Sequence, residues 1–172
     1  MAELIPRERL QPALLVRLTD DQPEKTHEAM QERVLTMRQL RRSVLRDLAW
    51  LLNTSNMEAG TNLGYYPLVA KSVLNYGLPD LTGRVVSGMT DRQLEALLRE
   101  AILRFEPRIL PNTLRVRAII AGDQMNRNAI GFEVEGELWS QPVPTHLLIK
   151  TEIDVESGHF AVSDSGATGV GD

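Results

Sequence analysis

TDRQLEALLREAILRFEPRILPNTLRVRAII, residues 90–120, contains the change of hydrophobic period that decides the fold class. Thr90 is a helix-capping residue, and Leu94, Leu97, Leu98, Ala101, Ile102 and Phe105 follow at helical spacing. That pattern predicts a helix over Asp91 to Phe105. Pro107 forbids its continuation and pushes Glu106 toward extended or polyproline geometry. Beyond Arg108 the period becomes two, with Leu114, Val116, Ala118 and Ile120 alternating with Arg115, Arg117 and Ile119, which predicts a strand.

The junction itself is unusual. A glutamate in the last turn of a helix faces the negative end of the macrodipole. In an extended stretch, residues two apart point the same way, so Glu106 and Arg108 project together. Such a pair is either an internal clamp that tidies a helix end or a docking element for a partner chain. As an exposed clamp it would contribute only about 0–1 kcal/mol.

Working toward the C-terminus, Gly122 to Asn128 reads as a polar turn. Ala129 to Trp139 alternates again, Ile130, Phe132, Val134 and Leu138 against Glu133, Glu135 and Glu137. Pro142 and Pro144 interrupt, Thr145 to Val155 is a third strand, and a turn at Gly158-His159-Phe160 leads to a last one. The end from Ser163 to Asp172 is rich in Gly, Ser and Asp and reads as a disordered tail.

Working toward the N-terminus, Val85 and Val86 suggest a short edge strand, and Gly77 suits a position of positive φ. Pro67 is placed to start a short helix through Leu74, after a loop over Glu58 to Tyr66. A long helix is expected from His27 to Leu52, carrying Met30, Val34, Met37, Val44, Leu48 and Leu51 on one stripe and ending at Asn53 to Asn56. The apolar segment Leu10 to Leu18 reads as a helical turn or docking segment, cut off by the acidic, proline-containing run Thr19 to Glu24. Helices first and antiparallel strands later predict an α+β fold, with the N-terminal helices on one face of a small antiparallel sheet. The expected division is a docking segment over 1–26, one α+β domain over 27–162 and the tail over 163–172.

Composition limits the functions. The chain has 172 residues, 42% of them hydrophobic, enough for one core. Its net charge of −4 gives no global basic field for nucleic acid. The absence of cysteine removes disulfides, thiolate metal sites and cysteine nucleophiles. No run approaches the length of a membrane span or a signal-peptide core, so a soluble, non-exported protein without membrane insertion is expected. Arg38, Arg42 and Arg46 recur every fourth residue, with Arg41 beside them. This stripe is a solvated face, a face pairing acidic neighbours such as Asp47, or a partner-facing surface; phosphate binding fits the acidic chain poorly.

The catalytic inventory is thin. His27, His146 and His159 show no ligand spacing, so no metal or cofactor is expected. The glycines form no phosphate loop, and Asp123 sits in a turn that lacks the terminal glutamate of a calcium loop. A glycosidase would need two carboxylates across a cleft, Glu106 with Asp80, Glu152 or Asp154. Arg108 beside Glu106 favours the carboxylate, the wrong direction for a general acid.

Four motifs stand in order along the chain. They are Leu15-Val16-Arg17-Leu18-Thr19-Asp20-Asp21, Ser43-Val44-Leu45-Arg46-Asp47-Leu48-Ala49-Trp50-Leu51-Leu52-Asn53-Thr54, Ser72-Val73-Leu74-Asn75-Tyr76-Gly77-Leu78-Pro79-Asp80-Leu81 and Phe105-Glu106-Pro107-Arg108. The ordered set resembles the TssE baseplate subunits of type VI secretion systems, within the phage tail baseplate wedge "lysozyme-like" family, over about Leu10 to Val162. Ser55, where relatives often carry a basic residue, and Pro142-Val143-Pro144 depart from that pattern. The resemblance implies a non-enzymatic subunit, cytoplasmic and assembled in a baseplate docked at the inner membrane. It would bind other wedge subunits and contractile sheath proteins and help sheath polymerisation begin, with no small-molecule substrate. Glu106, Pro107 and Arg108 would be the assembly element, and the Arg38, Arg42 and Arg46 stripe would face another subunit. Two rivals stand beside it: a peptidoglycan hydrolase (muramidase), and a small anti-adaptor of the kind that also resembles this family.

Overall fold

The computed structural model describes residues 14–19, 24, 36–81, 88–119, 129–139 and 144–165. In chain order these form helix α1 (Leu14–Leu18), helix α2 (Met37–Leu52), a 3₁₀ turn (Met57–Ala59), helix α3 (Pro67–Ala70) and a second 3₁₀ turn (Val73–Asn75). Helix α4 (Asp91–Phe105) and strands β1 (Arg115–Ile119), β2 (Ala129–Leu138), β3 (Thr145–Asp154) and β4 (Phe160–Asp164) follow. The architecture is α+β: helices first, then a four-stranded antiparallel sheet in the order β1-β2-β3-β4.

Helix α4 lies where its period and cap place it. Thr90 and Gln93 form a reciprocal capping box, and Leu94, Leu98, Ala101 and Ile102 are buried. Helix α2 starts later than its apolar stripe suggests. Thr36 is extended (φ −71°, ψ 156°) and its hydroxyl accepts from the Gln39 N–H, so the helix begins at Met37 rather than His27. Met30 and Val34, and residues 27–35 generally, lie outside the described residues. The helix expected from Pro67 to Leu74 is broken after Ala70: Ser72 is extended, and its hydroxyl donates to the Val69 carbonyl and accepts from the Leu74 N–H. The expected strand at Val85 and Val86 and the turn at Gly122 to Asn128 fall outside the described residues.

Strands β2 and β3 are the inner pair of the sheet, and β2 bridges β1 and β3. The register of β2 sets Val116 opposite Val134 on one side and Phe132 opposite Thr151 on the other. Phe132, Val134 and Leu138, with Leu147, Ile149 and Ile153 of β3 and Phe160 of β4, make the buried face. Leu40, Val44, Leu48 and Leu51 of α2 and the apolar face of α4 close over it. Each fully buried leucine or isoleucine here contributes about 1.5–3 kcal/mol. The other face alternates outward and is charged, with Arg117 opposite Glu133 and Glu133 opposite Lys150. Asp154 closes the β3–β4 turn. Hydrogen bonds from the Ser157 backbone and hydroxyl and from the Glu156 backbone hold its carboxyl below the usual carboxylate range. Ser163 and Asp164, expected in the tail, belong to β4.

One core position is polar without a partner. The Thr151 hydroxyl is buried among Ile149, Ile153 and Phe132 and makes no hydrogen bond among the described residues. A buried hydroxyl left unpaired costs free energy that an isosteric methyl does not. Thr151→Val is therefore expected to stabilise the fold by about 1 kcal/mol, read as a higher urea midpoint at unchanged m-value.

Candidate functional site

Glu106 is the C-cap of α4 (φ −120°, ψ 77°), turned out of helical geometry where Pro107 follows. Arg108 then enters the sheet layer: its carbonyl accepts from the Trp139 N–H at 2.7 Å, and the Leu110 N–H donates to the Glu137 carbonyl at 2.8 Å. Here the segment crosses Gly136 of β2, where a Cβ would lie 3.0 Å from the Ile109 side chain.

The Arg108 side chain reaches back across the layers to α2. Its Nε donates to Glu106 Oε1 at 2.6 Å and its Nη2 to Glu106 Oε2. Nη2 also donates to Asp47 Oδ2 at 2.7 Å, and Nη1 to the Ser43 hydroxyl at 2.9 Å. The Glu106 side chain is only 3% exposed, while Pro107 is exposed and Arg108 half-buried. Burial opposes the charge on Arg108, but the bonds and charges of Glu106 and Asp47 outweigh it and raise the guanidinium pKa above its ordinary value. Beside them, burial and the same two carboxylates raise the Tyr76 phenol, whose ring meets Phe105 edge-on at 5.1 Å.

Ser43, Arg46 and Asp47 share one side of α2, as residues three and four apart must. Asp47 also takes the Arg46 Nε at 3.0 Å, and the Arg46 guanidinium lies 5.0 Å over the Trp50 ring. The site therefore unites Glu106, Arg108 and, through Asp47, Arg46. Arg38 and Arg42 sit further toward the helix start, exposed and without an ion pair among the described residues. Arg41 instead holds Asp164 of β4 through Nε at 2.5 Å and Nη2 at 2.6 Å. Ser43 and Asp47 were not singled out as site residues from sequence, although an i, i+4 polar pair bordering an apolar stripe was the available signal.

Both outer strands of the sheet meet helix side chains. The Asn53 carboxamide accepts from the Phe160 N–H and donates to its carbonyl, each at 2.9 Å, pairing with β4 as a neighbouring strand would. On the other edge Glu95 accepts from the Ala118 N–H at 2.7 Å. Blocked edges of this kind prevent indiscriminate strand addition. Among the described residues, no cluster of His, Asp and Glu could hold a metal ion, and no helix is long and apolar enough to cross a membrane.

No curated protein and no solved structure matches this chain. The family model described as baseplate wedge protein gp25 matches residues 38–143, from the first turn of α2 to the connection before β3. That span contains every member of the Ser43–Asp47–Glu106–Arg108 cluster, and the chain belongs to the baseplate wedge gp25 family.

Proposed function

We propose that this chain is a structural, non-enzymatic baseplate subunit of a type VI secretion machine, which binds other wedge subunits and helps the contractile sheath begin to polymerise. In this reading it works on the cytoplasmic side, in a baseplate docked at the inner membrane. The observation that carries the proposal is the family match over residues 38–143. The docking face is the exposed side of α2, with Arg38, Arg42 and the Arg46–Trp50 stack, together with Pro107 and the outer part of Arg108. Glu106 serves that face from behind, holding Arg108 so that helix, sheet and proline keep one geometry. A preorganised surface loses less entropy when it binds, which favours a partner that must select one arrangement. A sheath strand adding to β4 would have to displace the Asn53 carboxamide from Phe160.

The hydrolase alternative would need Glu106 as its acid. The enclosure of Glu106, with both oxygens bonded to Arg108, supports the non-enzymatic reading over one that needs this carboxyl at a glycosidic oxygen. No observation on the molecule favours the anti-adaptor.

Co-expression of the chain with the wedge and sheath proteins of its own machine tests the reading. The wild type is expected to co-purify with at least one wedge subunit. Arg38→Glu combined with Arg42→Glu is expected to keep the fold, with stability changed by no more than about 0.5 kcal/mol per site, and to weaken that complex by at least about tenfold. A wild-type chain that elutes alone contradicts the proposal, as does clearing of purified cell walls.

A further inference from the structure

The segment from Asn56 to Tyr76 buries two asparagines while exposing a run of large apolar side chains. Its buried polar side chains are Asn56 and Asn75, and Leu63 is buried too, while Glu58, Thr61, Asn62 and Lys71 are exposed. Asn75 is buried, its amide donating to the Ala70 carbonyl at 3.1 Å and its Oδ1 accepting from the Glu58 N–H at 3.0 Å. Asn56 caps the turn at Ala59. Large apolar side chains between Tyr65 and Leu74 point outward: Tyr65 is 86% exposed, Leu68 85% and Val73 78%, with Tyr66 and Leu74 also exposed. The segment is pinned as well, by Arg104 on the Ala70 carbonyl at 3.2 Å and by the Tyr76–Phe105 contact. Exposed apolar residues at this density, on a scaffold held by buried polar groups, mark an interaction surface.

Two observations define what covers it. The backbone N–H groups of Tyr66, Ala70, Ser72, Asn75 and Tyr76 are spent on turns within the segment, so it offers no run of donors to an added strand. Recognition must run through side chains, as when a helix lays its apolar face on a partner. The charge is also one-sided. Between Glu58 and Asp80 the only charged residue is Lys71, in a chain of net charge −4. Lys71 is exposed and has no ion pair among the described residues. A lone lysine on an acidic chain is a poor anchor for an anionic bilayer, which recruits clusters of cations.

We infer that Tyr65, Tyr66, Leu68, Val73 and Leu74 form a second docking surface, separate from the α2 face, for an amphipathic helix of a neighbouring subunit whose apolar face is edged by Asp or Glu facing Lys71. The identity of that neighbour as a wedge subunit rests on the baseplate reading above. The test is the affinity of the co-expressed wedge complex for Leu68→Asp combined with Val73→Asp and, separately, for Lys71→Glu and Lys71→Arg. All three positions are exposed, so circular dichroism and thermal unfolding are expected to be unchanged. The double aspartate variant is expected to weaken one subunit's binding by at least about 30-fold, as loss of two central apolar contacts does. Lys71→Glu is expected to weaken it several-fold and Lys71→Arg to preserve it. Unchanged affinity in both the double variant and Lys71→Glu overturns the inference. If the wild type binds no wedge subunit, the baseplate reading falls and takes this partner with it. If the Arg38/Arg42 variant releases a subunit while the double aspartate variant holds them all, only the second surface falls. Flotation of the wild type, but not the double variant, on phosphatidylglycerol-containing vesicles with the complex intact also overturns it, in favour of a membrane.

Discussion

Arg108→Ala lowers the unfolding free energy by about 3–5 kcal/mol, far beyond what an exposed ion pair contributes. The reason is what remains behind. Glu106 is 3% exposed, and both its oxygens are bonded to Arg108. Without the guanidinium, a buried carboxylate, the Asp47 carboxylate and the Ser43 hydroxyl all lose a donor at once. Arg108→Lys recovers only part of the loss, because one ammonium cannot reproduce a planar fork that reaches three acceptor groups. Replacing both members, Glu106→Leu with Arg108→Met, recovers most of the stability, since a buried ion pair exchanged for apolar packing is often neutral. Urea titration of the four chains, with m-values checked for equality, measures this directly. The result also governs how docking is assayed. An Arg108→Ala chain that fails to assemble has lost part of its fold as well, so surface substitutions at Arg38 and Arg42 are the cleaner probes.

Gly77→Ala costs about 3 kcal/mol. Gly77 sits at φ +114°, and an added Cβ would stand 2.1 Å from the Thr54 carbonyl oxygen. That carbonyl accepts the Leu78 N–H at 2.8 Å, and the Leu78 carbonyl in turn accepts the Asn56 N–H at 2.8 Å, joining the end of α2 to the segment after the second 3₁₀ turn. The backbone conformation alone costs a non-glycine residue about 1–2 kcal/mol, and displacing Thr54 forfeits a hydrogen bond of about 1 kcal/mol. Thermal unfolding is expected to fall by on the order of 10 °C. Gly60→Ala is the control: nothing lies within 4 Å of its Cβ position and φ is −117°, so the change is neutral or stabilising by up to about 1 kcal/mol.

What periodicity and local chemistry decide could be read ahead of the structure. Helix α4, the alternation in β1 and β2, the positive φ at Gly77 and the meeting of Glu106 with Arg108 all follow from residues close in sequence. The start of α2 was misplaced because Met30 and Val34 continue the apolar stripe past Thr36, where the Thr36–Gln39 capping box is the stronger signal. The partners of Arg108 were not legible, since Ser43 and Asp47 lie 65 and 61 residues away and only the packed layers bring them together. In sequence Asn53 reads as a helix terminator. Its second task, pairing with the backbone of Phe160 107 residues on, depends on where β4 comes to lie. The exposure of the apolar side chains from Tyr65 to Leu74 was also beyond reach, because an apolar run in sequence looks the same whether it faces a core or solvent.

The most direct test of the proposed baseplate role counts sheaths in cells of the source organism, with a fluorescent sheath protein and the gene for this chain deleted. Sheaths are expected to disappear on deletion and to return with the wild-type gene. Sheaths forming at wild-type number and length in the deletion strain would contradict that role.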